Sequence, residues 1–275
     1  MLKRLLSAAI LAFCATPALA QSSATKPGAP EPQASTLTLA YSIAFWGIPF
    51  GDTDYEGRFT PSGYSVRSHF QTTGIVSAFW NANIDATANG GLSVNGLSPN
   101  EYDSFYRRSE DKKERVKVTF TNGDPETFAD PPYNMKLYPV SDEEKREAVD
   151  PMSAITLVLS GVKADAANPC GTVAPVFDGR RRYDMTFVYL KDEPLKLGNG
   201  LFNGRAHLCQ IRYKQIAGFK PKILKEGAAF PPMYADFGDV PAPGAPKGRY
   251  VIALKLWSHL NWGTVSADLT ALHTN

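Results

Sequence analysis

The chain has 275 residues, 43% hydrophobic and 20% charged, with 29 Lys+Arg against 27 Asp+Glu. That composition excludes a disordered chain and one threaded through a bilayer on helices. The near-balance of charge excludes a body whose overall field gathers nucleic acid.

The N-terminus reads Met1-Leu2-Lys3-Arg4, an apolar stretch from Leu5 to Phe13, and Ala18-Leu19-Ala20. A positive start, a short apolar core and an A-x-A ending are the parts of a Sec signal peptide. Residues 1–20 are therefore expected to be removed after Ala20, placing the product in the periplasm. Loss of Lys3 and Arg4 takes the basic count from 29 down to the 27 of the acidic residues. The apolar core is shorter than the roughly 20 residues of a membrane span, and no later stretch reaches that length. Phe13 stands where a lipoprotein signal needs a small residue, so Cys14 is not read as an anchor. Residues 21–35, rich in Ser, Ala, Pro, Gly and Gln, read as a disordered tether. Residues 36–275 then read as a single β domain.

From Thr36 to Phe45 the pattern alternates, with Leu37, Leu39, Tyr41, Ile43 and Phe45 on one parity, as in a half-buried antiparallel strand. Two more alternating runs follow, Asp54 to Phe59 and Tyr64 to Phe70, with Pro61-Ser62-Gly63 as the turn between them. Gly74 to Thr87 reads as one bent strand. Asn89-Gly90-Gly91, Asn95-Gly96 and Asn122-Gly123 are turn signals. Asp142 to Glu147 reads as a solvated turn or short helix. Asp150-Pro151 opens the main helix, with a carboxylate cap and proline at the first position. Met152, Ile155 and Leu159 supply its apolar face, widened by Leu157 and Val158, and Gly161 ends it. Strands resume after Cys170, with Tyr183, Met185, Phe187 and Tyr189 on one parity and Cys209, Ile211 and Tyr213 on another. Residues 231–246 read as a Pro- and Gly-rich loop or edge. Two strands around Asn261-Trp262-Gly263 close the chain. The expected fold is mainly β: a large curled antiparallel sheet (half-barrel, barrel or β-spiral) of about 12–14 strands with one main α-helix.

The residues offer little chemistry. His69, His207, His259 and His273 are scattered and no His-Glu-x-x-His occurs, so no metal is expected. There is no Gly-x-Ser-x-Gly elbow, no phosphate loop and no dinucleotide fingerprint, so neither cofactor nor catalytic residue is assigned and the chain reads as a non-enzyme.

Three features remain. Cys170 and Cys209, 39 residues apart, are the two cysteines left after export, and a structural disulfide outweighs a reactive thiol served by His207. Arg180, Arg181 and Arg182 form either an anion or partner grip or a charged strand edge, the edge being favoured. Trp46, Phe79, Trp80, Phe105 and Trp257 are candidates to line an apolar cavity, set against ordinary core packing.

The assembled pattern is Tyr41 through Trp46-Gly47-Ile48-Pro49 to Gly51, then Gly63-Tyr64, Asp150-Pro151-Met152-Ser153-Ala154, and Cys170 followed by Val176-Phe177-Asp178-Gly179-Arg180-Arg181-Arg182-Tyr183-Asp184. It resembles the uncharacterised exported proteobacterial family known as domain of unknown function 3108. At fold level it is also similar to periplasmic β-spiral envelope-integrity proteins and lipoprotein-carrier half-barrels. The resemblance implies a periplasmic β protein with a cysteine pair near its helix and a role in the envelope. The function expected is non-catalytic binding of an apolar or amphipathic envelope component in a concave sheet. A scaffold for a periplasmic protein partner and an unrecognised hydrolase of cell-wall or lipid substrates stand as alternatives.

Overall fold

A computed structural model describes residues 34–275 apart from 94, 110–111, 172 and 227–229, and without the side chains of Ile75, Phe79 and Glu226. The segment read as a signal peptide, with Cys14, and nearly all of the segment read as a tether fall outside the described residues. The chain forms β1 (Ser35–Phe45), β2 (Ile48–Thr60), β3 (Gly63–Thr72), α1 (Gly74–Phe79), β4 (Asn83–Ser93), β5 (Gly96–Ser109), β6 (Lys112–Thr121) and β7 (Asp124–Asp130). It continues through α2 (Asp142–Lys145), α3 (Pro151–Leu159), β8 (Val173–Phe177), β9 (Arg182–Lys196), β10 (Asn203–Ala217), α4 (Pro221–Glu226), β11 (Met233–Pro241), β12 (Arg249–Leu260) and β13 (Gly263–Thr274).

The thirteen strands make one antiparallel sheet in the order β7-β6-β5-β4-β3-β2-β1-β13-β12-β11-β10-β9-β8. The first and last strands pair in the middle, where Leu37 to Phe45 run against Thr274 to Val265. The outer strands β7 and β8 do not pair with each other, so the sheet curls without becoming a hydrogen-bonded barrel. This is the expected class, with thirteen strands and one principal helix beside three shorter ones among the described residues.

The alternation that predicted the strands supplies the core. Leu37, Leu39, Phe59, Tyr64, Val66, Val118, Tyr250, Ile252 and Leu254 are buried on the concave face. The helix α3 lies across that face as predicted from its start and stop signals. Asp150 caps it by accepting the Ser153 N–H at 2.8 Å, Pro151 takes the first position, and Gly161 adopts φ +62° just past its end. The α2 turn is helical because Ser141 and Glu144 form a reciprocal capping box.

The two ends of the sheet meet through a turn. Asp178 accepts the N–H groups of Arg180 and Arg181 at 2.9 and 2.6 Å, fixing the β8–β9 connection. Gly179 has φ +90°, and a Cβ placed there would lie 2.6 Å from Val116 on β6 and 3.2 Å from Thr127 on β7. The β8 edge is also covered: Val149 donates to Pro175 O and Phe177 donates to Val149 O, each at 2.9 Å. Cys170 and Cys209 form a disulfide, with Cα atoms 6.4 Å apart, tying the segment after α3 to the concave face of β10.

Three segments depart from the sequence reading. Gly74 to Thr87 is not one strand: α1 is inserted between β3 and β4, entered at Gly74 with φ +61°. Thr72 closes its neck, its hydroxyl donating to Trp80 O at 2.8 Å and accepting from Ala82 N at 2.9 Å. The 231–246 stretch contains β11, an interior strand between β10 and β12, whose proline stands at its last position, where a missing N–H is tolerated. Ser35, read as the last residue of the tether, begins β1, and its hydroxyl lies 2.7 Å from that of Tyr250.

Two outcomes check this fold. Cys170→Ser or Cys209→Ser is expected to lower stability by about 2–4 kcal/mol in urea unfolding under non-reducing conditions. Equal midpoints for variant and parent would refute the bond. Gly179→Ala is expected to cost roughly 2 kcal/mol or more, because the new methyl meets both Val116 and an unfavourable φ; an unchanged melting temperature would remove the turn from its place against β6.

Candidate functional site

The concave face is filled on one side of α3 and open on the other. The filled side is held by a buried polar chain. The Ser153 hydroxyl donates to Asp150 Oδ2, so Tyr64 donates its own hydroxyl to Ser153 Oγ at 2.5 Å. One turn further on, Thr156 donates to Met152 O at 2.8 Å and receives the Tyr55 hydroxyl at 3.0 Å. Asp150, Ser153 and Thr156 are each fully buried. Burial pushes the Asp150 carboxyl from 3.8 up to about 6, and the Ser153 hydroxyl and backbone N–H groups offset only part of that.

On the other flank Pro151, Ala154, Ile155 and Val158 face a groove of about 460 Å³. Its floor and walls are Leu39 and Tyr41 of β1, Tyr55 of β2, Met185 and Phe187 of β9, Ile211 of β10, Met233 and Phe237 of β11, Leu256 of β12 and Ala267 of β13. The volume falls in the range of small-molecule sites, and the lining is almost wholly apolar. Ile155 was expected in the helix core but is 48% exposed, because its side chain projects into this open space. Tyr41 donates to Ala253 O at 2.9 Å. Burial holds the hydroxyls of Tyr41, Tyr55 and Tyr183 far above the ordinary phenol range, so these walls stay uncharged. The one carboxylate in the lining is Asp54.

A second cavity of about 350 Å³ adjoins this groove. The Tyr183 ring of the groove lies tilted, 4.7 Å from that of Tyr213, which lines the neighbouring cavity with Arg180, Arg181, Lys220, Phe219 and Phe230. A larger depression of about 720 Å³ is bordered by Ser98, Asn100, Asn122, Asp124, Arg146 and Glu147, a polar rim unlike the groove.

The structure distributes the predicted residues differently from the groove. Trp46 occupies a two-residue turn between Phe45 and Ile48 and is 69% exposed, since Trp46 and Gly47 take φ +51° and +77°. Trp80 follows α1 and is 42% exposed, and the Phe79 side chain lies outside the described residues. Phe105 has the opposite parity to buried Tyr102, with Asp85 and Arg115 as its cross-strand neighbours, which places it on the convex face. Trp257 likewise alternates with groove-lining Leu256 and stacks on Tyr234 at 5.8 Å. None of the four described side chains lines the groove.

The arginines separate. Arg182 is buried and donates to Glu144 O, Tyr183 O and Asp184. Arg180 stacks over Tyr133 and Arg181 over Phe219, both at the mouth of the second cavity. His207 binds Asp192 at 2.6 Å, and Cys209 is held in the disulfide. The groove residues themselves were visible only as strand parity: Leu39 and Tyr41, Met185 and Phe187, and Ile211 read as core, since periodicity does not separate a wall facing a cavity from one facing packing.

The capping carboxylate gives a pH test. Its folded-state pKa lies above its unfolded value, so its contribution is fully present below about pH 4 and is lost as pH rises through about 6. Asp150→Asn keeps the cap without the charge. The stability of the variant relative to the parent is expected to rise by on the order of 2–3 kcal/mol between pH 4 and pH 7.5. Parallel pH profiles for the two proteins would show that Asp150 is not held above its ordinary value.

No curated protein matches the chain significantly. Among solved structures, a crystal structure of a β-barrel-like protein of domain of unknown function DUF1849 from Brucella abortus is similar, at 11% identity and a TM-score of 0.48, covering 89% of this chain and 99% of that one. A family model matches residues 38–228. That span runs from β1 to α4 and takes in the capped helix, both disulfide cysteines and the Asp178–Gly179 turn, and by it the chain belongs to the family described as a protein of unknown function (DUF3108).

Proposed function

We propose that this is an exported, non-enzymatic binder of an amphipathic envelope component, whose apolar chain occupies the groove beside α3. The observation that carries this reading is the groove itself: about 460 Å³ of open space walled by apolar side chains from β1, β2, β9 to β13 and α3. Each methylene moved from water into such a site contributes about 0.8 kcal/mol, so a chain of modest length binds without any polar contact. Arg180, Arg181 and Lys220 in the adjoining cavity supply the cations for an anionic head group. The disulfide agrees with an oxidising compartment, and among the described residues no helix is long and apolar enough to cross a membrane. The internal engagement of Arg182 favours this ligand reading over a scaffold that uses all three arginines outwardly.

Ala267→Trp places an indole inside the groove from the wall of β13. It is expected to weaken binding of a fluorescent fatty-acid probe at least tenfold while leaving the melting temperature within a few degrees of the parent. Native mass spectrometry of protein taken from the periplasm is expected to show a lipid-like adduct that Ala267→Trp lacks. An empty parent that also fails to bind the probe would overturn the reading.

A further inference from the structure

The antiparallel order brings the β1–β2, β3–β4, β10–β11 and β12–β13 connections to one end of the sheet. That end carries Trp46, Ile48 and Trp262, each at least 65% exposed, with Trp80 at 42% and Phe230 at 57%. Among the described residues, none of the large exposed apolar side chains stands in the turns at the opposite end.

The aromatic tips form one platform. The backbone N–H of Trp46 donates to Thr264 O at 2.9 Å, linking the two central hairpins. The Phe45 ring lies 5.0 Å from Trp46 and 4.9 Å from Trp262. Gly263 makes room for them, because a Cβ there would sit 2.3 Å from the Phe45 ring and 2.6 Å from Trp46 Nε1. Beside this platform Thr73 N–H donates to Phe50 O, which seats the α1 insertion and Trp80 against β2. On the far side Ser258 holds Pro232 O at 3.2 Å, next to Phe230.

Trp46 is held there at a cost. A left-handed residue in the first position of a two-residue hairpin turn is the place of Asn, Asp or Gly, and a bulky side chain is strained. The strain secures no burial, since the indole is left in solvent. Indole rings with one apolar face and one N–H settle at the boundary between hydrocarbon and water. The flanking charge has the sign that anionic lipid attracts. The α4 connection carries Lys220, Lys222 and Lys225 against Glu226, and exposed Arg107 and Arg108 stand at the end of β5, where Arg107 is in register with Asn83 just after α1; the sequence there adds Lys112 and Lys113 against Glu110, Asp111 and Glu114, which leaves the balance basic. Exposed Asp52 lies further from the tips on β2.

We propose that this aromatic end docks the protein on an anionic lipid surface. The docking does not require that the groove be filled, and it goes beyond the ligand reading in naming where the protein meets a bilayer. The groove lies toward this same end, since Met233 begins β11 and Leu256 and Ala267 sit near the tips of β12 and β13.

The test is flotation of the purified protein with phosphatidylglycerol-containing vesicles and with pure phosphatidylcholine vesicles. The parent is expected to float with the anionic vesicles and to lose most of that binding on phosphatidylcholine. Trp46→Asn suits its left-handed turn position better and Trp262→Asn removes an exposed indole, so the melting temperature of the double variant is expected to stay within a few degrees of the parent while flotation falls at least tenfold. Ala267→Trp is expected to float like the parent, which separates docking from occupancy of the groove. Absence of parent flotation, or undiminished flotation of the Asn variant, would overturn the proposal. A parent dimer that becomes monomeric in the Asn variant, without flotation, would assign the tips to a second copy instead.

Discussion

A nine-residue helix covering a thirteen-stranded sheet sets the terms for the rest of the molecule. Strands about 4.8 Å apart lay down roughly 60 Å of sheet, whereas nine helical residues extend about 14 Å. The concave face is therefore covered only where α3 and its neighbours reach. Position along that face is fixed by the Tyr64–Ser153–Asp150 chain and the Tyr55–Thr156 pair, all buried. An unmade hydrogen bond at that depth costs more than a made one contributes, so the helix has little freedom to slide toward the open side. The groove is what remains of a surface that α3 is too short to cover.

The same economy explains the Asp178-Gly179-Arg180-Arg181-Arg182 stretch. Its sequence invites a ligand reading because arginines are dense there. In the fold its first duty is joining: Asp178 organises the turn, Gly179 presses onto β6 and β7, and Arg182 spends its donors on two backbone carbonyls and Asp184. Gly218, at φ +82°, comes close enough behind it that a Cβ would meet Arg180 O at 2.3 Å. A motif with this many backbone obligations tolerates little variation for steric reasons alone, before any ligand is considered.

Much of the fold was legible because antiparallel strands with one wet face announce themselves by alternation. Leu37 and Leu39, and the capped start at Asp150-Pro151, could be placed from local rules. The errors arose where local rules are silent. Gly74 to Thr87 has the apolar content of a strand, and only the hydrogen bonds of Thr72 across the neck show that α1 is inserted. The aromatic candidates failed for a different reason. Parity tells which residues share a face but not which face is concave, so Phe105 and Trp257 went to the convex side while Met185 and Ile211, equally visible, line the groove. Trp46 stands just past the alternation that ends at Phe45, and the two positive φ values that turn the chain there have a signature only in Gly47.

The join between the sheet's ends has a mechanical meaning. A barrel closed by a ladder resists dilation at every point, since widening it anywhere breaks hydrogen bonds. Here the circumference is completed by Gly179 lying on Val116 and Thr127, by contact and not by a ladder. Displacing that turn forfeits dispersion contacts of a few tenths of a kcal/mol each and leaves all twelve strand pairings in register. The wall is thus tied along its strands by ladders and at this one seam by side-chain contact.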